Sequence, residues 1–319
     1  MAYTTGGQNI SGQFGMPLYG VQGSLPPFTG NYFWVDGTAG SDGNTGGPTD
    51  PFKTLTQAQT ACTAGNNDVV FLNGTFSPSA TLTWSKNNTH LIGQSLSPYS
   101  AATISVASVA ATSGAFTPLV NVTATGCIFQ NVSVLSGIAQ AAAQVCWAEA
   151  GGNNTYINCN FNQVGAIQAG AHAGNRALTI ASKNNYFQGC VIGGDALVRA
   201  TGTNYTMELL AGSGSSLFTG CKFVMWCSVA ASAQVNAAAT TSTGYMIFDD
   251  CLFINDMGNA GAVASTLPLT ISATAGAVVL VTPTTMFLGV AGKAATTGQL
   301  VYISGAPPAT LGNIASSTT

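Results

Sequence analysis

Charge is what this chain has least of. Of its 319 residues, Lys and Arg supply 7 and Asp and Glu supply 10, so charged residues make up 5% of the sequence, against about a quarter in ordinary soluble domains. A net charge of −3 over such a length creates no field that would steer nucleic acid or an anionic membrane onto it. The surface must instead be covered by Thr, Ser, Asn, Gln, Gly and Ala. Such a surface repels its own copies weakly and tolerates dense assembly.

Other absences narrow the reading further. No C-x-x-C pair occurs among the eight cysteines, which removes the common zinc and dithiol redox motifs. No basic region followed by an apolar run opens the chain, so no signal peptide is expected. Residues 257–292 carry no charge, yet Pro268 and Pro283 interrupt them and Thr and Ser recur, so they read as strands rather than a membrane span. No stretch inside the repeated part shows a helical stripe. These absences together predict an origin in a host cytoplasm followed by assembly into a particle.

What is present is a repeat. Tyr156-Ile157-Asn158-Cys159-Asn160-Phe161, Phe187-Gln188-Gly189-Cys190-Val191-Ile192, Phe218-Thr219-Gly220-Cys221-Lys222-Phe223 and Phe248-Asp249-Asp250-Cys251-Leu252-Phe253 share the template aromatic-x-x-Cys-x-apolar. The cysteines are spaced by 31, 31 and 30 residues, and Phe129-Gln130-Asn131-Val132-Ser133-Val134 fits with Val in the Cys place. A period near 30 signals a repeat architecture. Cys and the apolar residue two further on would share one face of a strand. A strand recurring once per period, without helices, predicts a parallel β-solenoid whose coils stack at about 4.8 Å and whose equivalent residues form ladders. Cys is small and apolar and suits such a ladder. Free stacked thiols are expected there, with Cys62, Cys127, Cys146 and Cys227 outside it.

Three segments follow. Residues 1–30 hold no charge but include Phe14, Met16, Leu18, Tyr19 and Leu25. They read as an extended N-terminal arm lying on the chain's own solenoid or on a neighbouring subunit, or as a disordered leader. Residues 31–255 form the solenoid, with a capping helix near 51–64. Asp50-Pro51 supplies its N-cap and first-turn proline, Phe52, Leu55, Ala58 and Cys62 its apolar stripe, and Gly65 its end. Early strands are expected at 69–72, 80–84, 90–92, 103–106, 119–122 and 128–134. Protruding loops are expected at 137–150, 164–176, 194–206 and 228–243. Residues 256–319 break the Cys period and read as a C-terminal β module for capping or oligomerisation.

Trp34-Val35-Asp36-Gly37, Gly40-Ser41-Asp42-Gly43-Asn44-Thr45-Gly46 and Pro51-Phe52-Lys53-Thr54-Leu55-Thr56-Gln57-Ala58 resemble the entry motif of pectate-lyase-like right-handed parallel β-helix proteins. Asp68 to Phe76 is similar to the first coil after that helix, and His90-Leu91-Ile92-Gly93 to a following rung. The resemblance covers about residues 31–255. It implies an all-β right-handed parallel β-helix and leaves function open, because lyases, hydrolases, phage tailspikes and inert virion parts share that fold.

The chemistry-bearing residues are few. A glycosidase needs two facing carboxylates, and a β-helix lyase, by resemblance, needs a calcium-binding acid cluster with an Arg or Lys base. Ahead of the ladder cysteines only Asp249-Asp250 is acidic, and turn capping explains it. Glu208 with Asp195 and Arg199 reads as an ion pair or loop anchor. His90 reads as a structural histidine in an apolar strand, and His172 as an exposed loop residue. Asp36, Asp42 and Asn44 are oxygen ligands in a Gly-rich loop that suit Ca²⁺, but self-capped Asx turns explain them equally. Trp34, Trp84, Trp147 and Trp226 could stack on sugar, though three lie in expected strands, where core packing is the default.

No catalytic, cofactor-binding or metal site is therefore assigned. The expectation is a non-enzymatic virion structural protein on the capsid surface of a phage, a decoration or cement protein. It would form a homotrimer and bind the major capsid protein, with no cofactor, nucleic acid or membrane. The alternative is a tailspike or tail-fibre protein that binds or depolymerises host polysaccharide. A secreted lyase or adhesin stands third.

Overall fold

The computed structural model describes residues 29–94, 102–106, 118–137, 145–163, 174–237, 243–259, 261–265, 268–271, 276–291, 294–296 and 300–302. They build a right-handed parallel β-helix: three parallel sheets, with each coil giving one strand to each in turn. Sheet one has 10 strands, from Tyr32–Asp36 through Val69–Asn73, His90–Gly93, Ile128–Gln130, Thr155–Ile157, Tyr186–Gln188 and Ser216–Thr219 to Thr243–Asp249, Gly276–Val281 and Leu300–Tyr302. Sheet two follows it within each coil and runs in 8 strands from Thr75–Phe76 to Met286–Leu288. Sheet three closes the coil, also in 8 strands, from Leu82–Trp84 to Ala294–Thr296.

The Cys template sits at a corner rather than along one strand. Its aromatic lies in sheet one, its last apolar residue in sheet two, and the turn between them falls on the residue before Cys. Asn131, Asn158, Gly189, Gly220 and Asp250 all have φ between 50° and 63° at that place. Gly and Asn or Asp tolerate this left-handed region, where a β-branched residue would clash. The Cys side chain then turns inward. Cys159, Cys190, Cys221 and Cys251 are buried free thiols. Each thiol reaches back one coil to a carbonyl, that of Phe129, Tyr156, Phe187 and Phe218 respectively, at 3.3 to 3.5 Å.

Aromatic ladders fill the core beside them. Phe129, Tyr156, Phe187, Phe218 and Phe248 stack in one column, with centroids 4.5 to 5.1 Å apart. Phe223, Phe253 and Phe287 stack in a second. Trp84 and Trp147 meet the first column edge-on, and both are buried. A polar ladder runs along the start of sheet one. Asn154 accepts from Cys127 N, Asn185 from Asn154 N and Ser216 from Asn185 N.

Four of the eight strands of sheet three fall wholly or partly inside the stretches expected to be loops, whereas Leu82–Trp84 and Val120–Val122 lie where strands were expected. Val145–Glu149, Arg176–Ile180, Tyr205–Leu209 and Ala233–Ala237 are all strands. Each has two consecutive buried residues at its second and third positions: Cys146-Trp147, Ala177-Leu178, Thr206-Met207 and Gln234-Val235. A doubled inward residue breaks the period of two by which strands are read, so the pattern was hidden. Likewise the expected strand at 128–134 is two strands hinged at Asn131.

The capping helix is shorter than expected, Leu55–Ala61, and Thr54 rather than Asp50 caps it, accepting from Gln57 N at 3.1 Å. Asp42 fixes that cap by accepting from Thr54 N at 2.8 Å and from Lys53 N at 3.0 Å. Asp50 is spent on Thr45, whose backbone N it receives at 2.9 Å. Leu55 and Ala58 are wholly buried and close the first coil. The C-terminal β module takes the form of further coils: Leu269–Ile271, Gly276–Val281 and Met286–Leu288 extend sheets three, one and two. Residues 1–28, most of the expected arm, and the tail 303–319 lie outside the described residues.

Candidate functional site

The outer face of sheet three gathers the only ion pair among the described residues. Register places Glu208 beside Thr179 of the preceding coil and Asn236 of the following one. Arg176 begins its strand one coil back, and its Nε donates to Glu208 Oε2 at 2.8 Å. From the other side Asn236 Nδ2 donates to Glu208 Oε1 at 2.9 Å. The carboxylate is thus held at both oxygens by neighbours on either coil, while a quarter of its side-chain surface, 24%, stays open.

Tyr205 completes the face. The Arg176 guanidinium carbon lies 4.5 Å from the centroid of its ring, a cation–π contact that fixes the guanidinium plane. Burial is the main cause that pushes the Tyr205 phenol above its ordinary range, so it stays protonated and able to donate. Asn236 is itself buried. Its Nδ2 must face the carboxylate, which turns Oδ1 away, and that buried oxygen has no protein partner.

Arg199 lies next to this group but is buried, 1% exposed. Its Nη1 donates to Asn204 Oδ1 at 2.6 Å and approaches the Asn175 carbonyl, to which Arg176 Nη1 also donates at 2.8 Å. Burial first, and the charge of Arg176 second, lower its guanidinium to about 9. The expected partnership of Glu208 with Asp195 and Arg199 is therefore replaced. Glu208 pairs with Arg176, and Asp195 is an exposed residue of the neighbouring strand. Arg176, Tyr205 and Asn236 were missed for the reason that their strands were. The signal available was the period, since Arg176 and Glu208 stand 32 residues apart, one coil.

The other expected residues have structural work. Asp36 accepts from Thr38 N and Ala39 N at 2.8 Å each, and Asn73 Nδ2 donates to it at 3.0 Å. These bonds lower its carboxyl below the usual range. Asp42 caps the helix and Asn44 donates to the Pro51 carbonyl at 2.9 Å, so the Gly-rich loop is explained by self-capping. Asp250 holds the left-handed corner with Asp249 before it. His90 Nδ1 accepts from Ile128 N at 3.1 Å, and burial lowers its imidazole to about 4. Trp84 and Trp147 are core residues, whereas Trp34 packs on the outer face of sheet one. His172 lies outside the described residues.

One more carboxylate is buried, inside the coil. Glu149 Oε1 accepts from Gly151 N at 2.9 Å, Gly152 N at 2.7 Å and Ser182 Oγ at 2.8 Å. Its Oε2 accepts from Asn154 Nδ2 at 3.0 Å and from the Tyr156 hydroxyl. With both oxygens occupied and 1% exposure, it is a node of the interior and is closed to a ligand.

No protein-family model and no curated protein matches the sequence. Solved structures do match. A pectin methylesterase mutant in complex with a hexasaccharide is 15% identical, with a TM-score of 0.53 over 85% of this chain and 88% of that one. A pectate lyase is 12% identical, with a TM-score of 0.53 over 86% of this chain and 74% of that one. At such identity the likeness shows the fold, which is the one the entry motif implied. It also corrects the expectation of a chain that is not an enzyme. Both neighbours are polysaccharide-processing enzymes on this same coil, so a β-helix of this shape gives no ground for setting catalysis aside.

Proposed function

We propose that this chain binds a polysaccharide along the outer face of sheet three and that Glu208 is the residue on which its processing turns. One observation carries the reading. Glu208 is held open to solvent between Arg176 and Asn236, with the Tyr205 ring beside it. Sugars are bound by planar side chains and by paired donors and acceptors, and Tyr205, Arg176 and Glu208 supply them here. The flat, parallel rows of a β-helix suit a linear polymer. Its repeat can follow coils set about 4.8 Å apart.

A single carboxylate does not make the two-carboxylate pair of a glycosidase. The chemistry the group can supply is proton transfer by Glu208 under the charge of Arg176. If the chain rides on a particle, as its sparse charge led us to expect, the role is that of a tailspike or tail fibre meeting host polysaccharide.

The test is a glycan array followed by titration and an end-group assay on each polymer bound. Wild type is expected to bind at least one polysaccharide. Glu208→Gln and Asn236→Ala are expected to weaken it about tenfold or more, equal to roughly 1.4 kcal/mol, at an unchanged melting temperature. A folded wild type that binds no glycan, or variants that bind as well as wild type, would overturn the proposal.

A further inference from the structure

Sheet one carries a second apolar cluster on its outer face. In Val69–Asn73 the residues Val70 and Leu72 enter the main core, whereas Val69 and Phe71 belong to a separate cluster with Ile92, flanked by Tyr32, Trp34 and Ile128. Alternation along the strand puts these on opposite faces, so the second cluster faces away from the solenoid interior. Tyr32 and Trp34 both lie against Phe71, with ring centroids at 6.3 and 5.2 Å.

Outward residues on a bare sheet keep part of their surface in water. Here Val69 is 0%, Phe71 2% and Ile92 3% exposed. Apart from their neighbours in sheet one, the only described element in extended contact with Tyr32–Asp36 or Val69–Asn73 is the capping helix, and it closes the core end. The burial also fades along the solenoid. In the register of Phe71 and Ile92, Gln130 is 7% and Ile157 3% exposed, whereas Gln188 and Thr219 further on are only half-buried. Whatever covers this face therefore lies over the first coils and not the last.

We propose that the occupant is the chain's own N-terminal segment, residues 1–28. It enters directly upstream of Tyr32, the first strand of the covered face. It holds Phe14, Met16, Leu18, Tyr19, Leu25 and Phe28 and no Asp, Glu, Lys or Arg, which matches an aromatic seat without charge. Its reach is ample: 28 residues span up to about 90 Å when extended, and the four strands from Tyr32–Asp36 to Ile128–Gln130 cover only about 15 Å. Of the internal segments outside the description, only 95–101 leaves a strand of these first coils, His90–Gly93, and it runs on to Thr103–Val106 of sheet two; the crosslink map separates it from 1–28. The arm thus serves as a strap that hides an apolar sheet face which would otherwise recruit other chains.

The experiment uses the full chain with a photo-crosslinking phenylalanine analogue in place of Trp34. Crosslinks mapped to residues 1–28 at monomer mass are expected. A companion chain lacking residues 1–28 is expected to lose amide-exchange protection over 69–72 and 90–92 by about tenfold or more. Crosslinks into a second copy, seen as a band at twice the mass, would overturn the intramolecular seat, as would crosslinks that avoid 1–28 or protection unchanged by the deletion. If the shortened chain does not fold, the crosslink map of the full chain decides alone.

Discussion

Phe218 lies flat on Phe187, with ring centroids 4.6 Å apart and planes 9° from parallel, and Phe248 covers its other side at 5.0 Å. The ring is wholly buried and takes part in both the column of sheet one and, through Phe223, that of sheet two. Removing it opens a void with neighbours locked by the coils above and below. Phe218→Ala is expected to destabilise the fold by roughly 3–5 kcal/mol, read as a shift in denaturant midpoint at constant m-value. A change under about 1 kcal/mol would mean that the ladder relaxes freely around the gap.

All eight cysteines are buried and free, and burial pushes the Cys146 thiol up to about 12. The thiolate is the reactive form, so at neutral pH Cys146 is protonated, and burial shields all eight thiols. The native protein is expected to react with a thiol reagent only as fast as it unfolds, and all eight thiols are expected to count in denaturant. Rapid labelling of Cys221 in the native state would contradict the inward corner assigned to the ladder.

The ladder was legible in the sequence because it repeats with nothing else in its register. Four cysteines at almost equal spacing admit few explanations, and the Asp36 to Ala58 stretch carried enough turn residues to place the cap. The corner itself was less plain. Cys221 and Phe223 do share the inward direction, but they do so across a bend at Gly220 rather than along one strand. Four strands of sheet three were lost where two inward residues stand together, as at Cys146-Trp147. Because the site lies on that sheet, Arg176 and Asn236 went unread, and Glu208 was noticed with the wrong partners. What a linear reading catches is period; it does not show which residues stand side by side one coil apart.

His90 makes stability depend on pH. Burial lowers its imidazole from 6.5 to about 4, against the opposing pull of Asp68. The folded state therefore prefers the neutral ring, and between these two values the unfolded state binds more protons. Stability is fully present above pH 6.5 and falls as pH drops towards 4, by roughly 3 kcal/mol if this group acts alone. His90→Asn, which keeps an acceptor near Ile128 N, is expected to flatten that slope. Urea midpoints measured at steps across the window decide it; an equal slope in both proteins would remove His90 as the cause.

Glu149 offers the sharpest contrast between shape and polarity. Five donors converge on its two oxygens: Gly151 N, Gly152 N, Ser182 Oγ, Asn154 Nδ2 and the Tyr156 hydroxyl. Glu149→Gln keeps the volume but replaces one acceptor with an NH₂ group that must face donors. No rotation of the amide satisfies both sides, since Oε1 and Oε2 are each approached by donors only. The expected loss is roughly 2–4 kcal/mol, because buried donors are left without partners. Tyr156→Phe removes one donor and keeps the ring between Phe129 and Phe187, so its loss should be smaller, about 1–2 kcal/mol. A double-mutant cycle of the two measures their coupling, which is expected to be positive and at least about 0.5 kcal/mol. If Glu149→Gln costs no more than Tyr156→Phe, the donors have another acceptor, and the carboxylate is not the node that holds this turn.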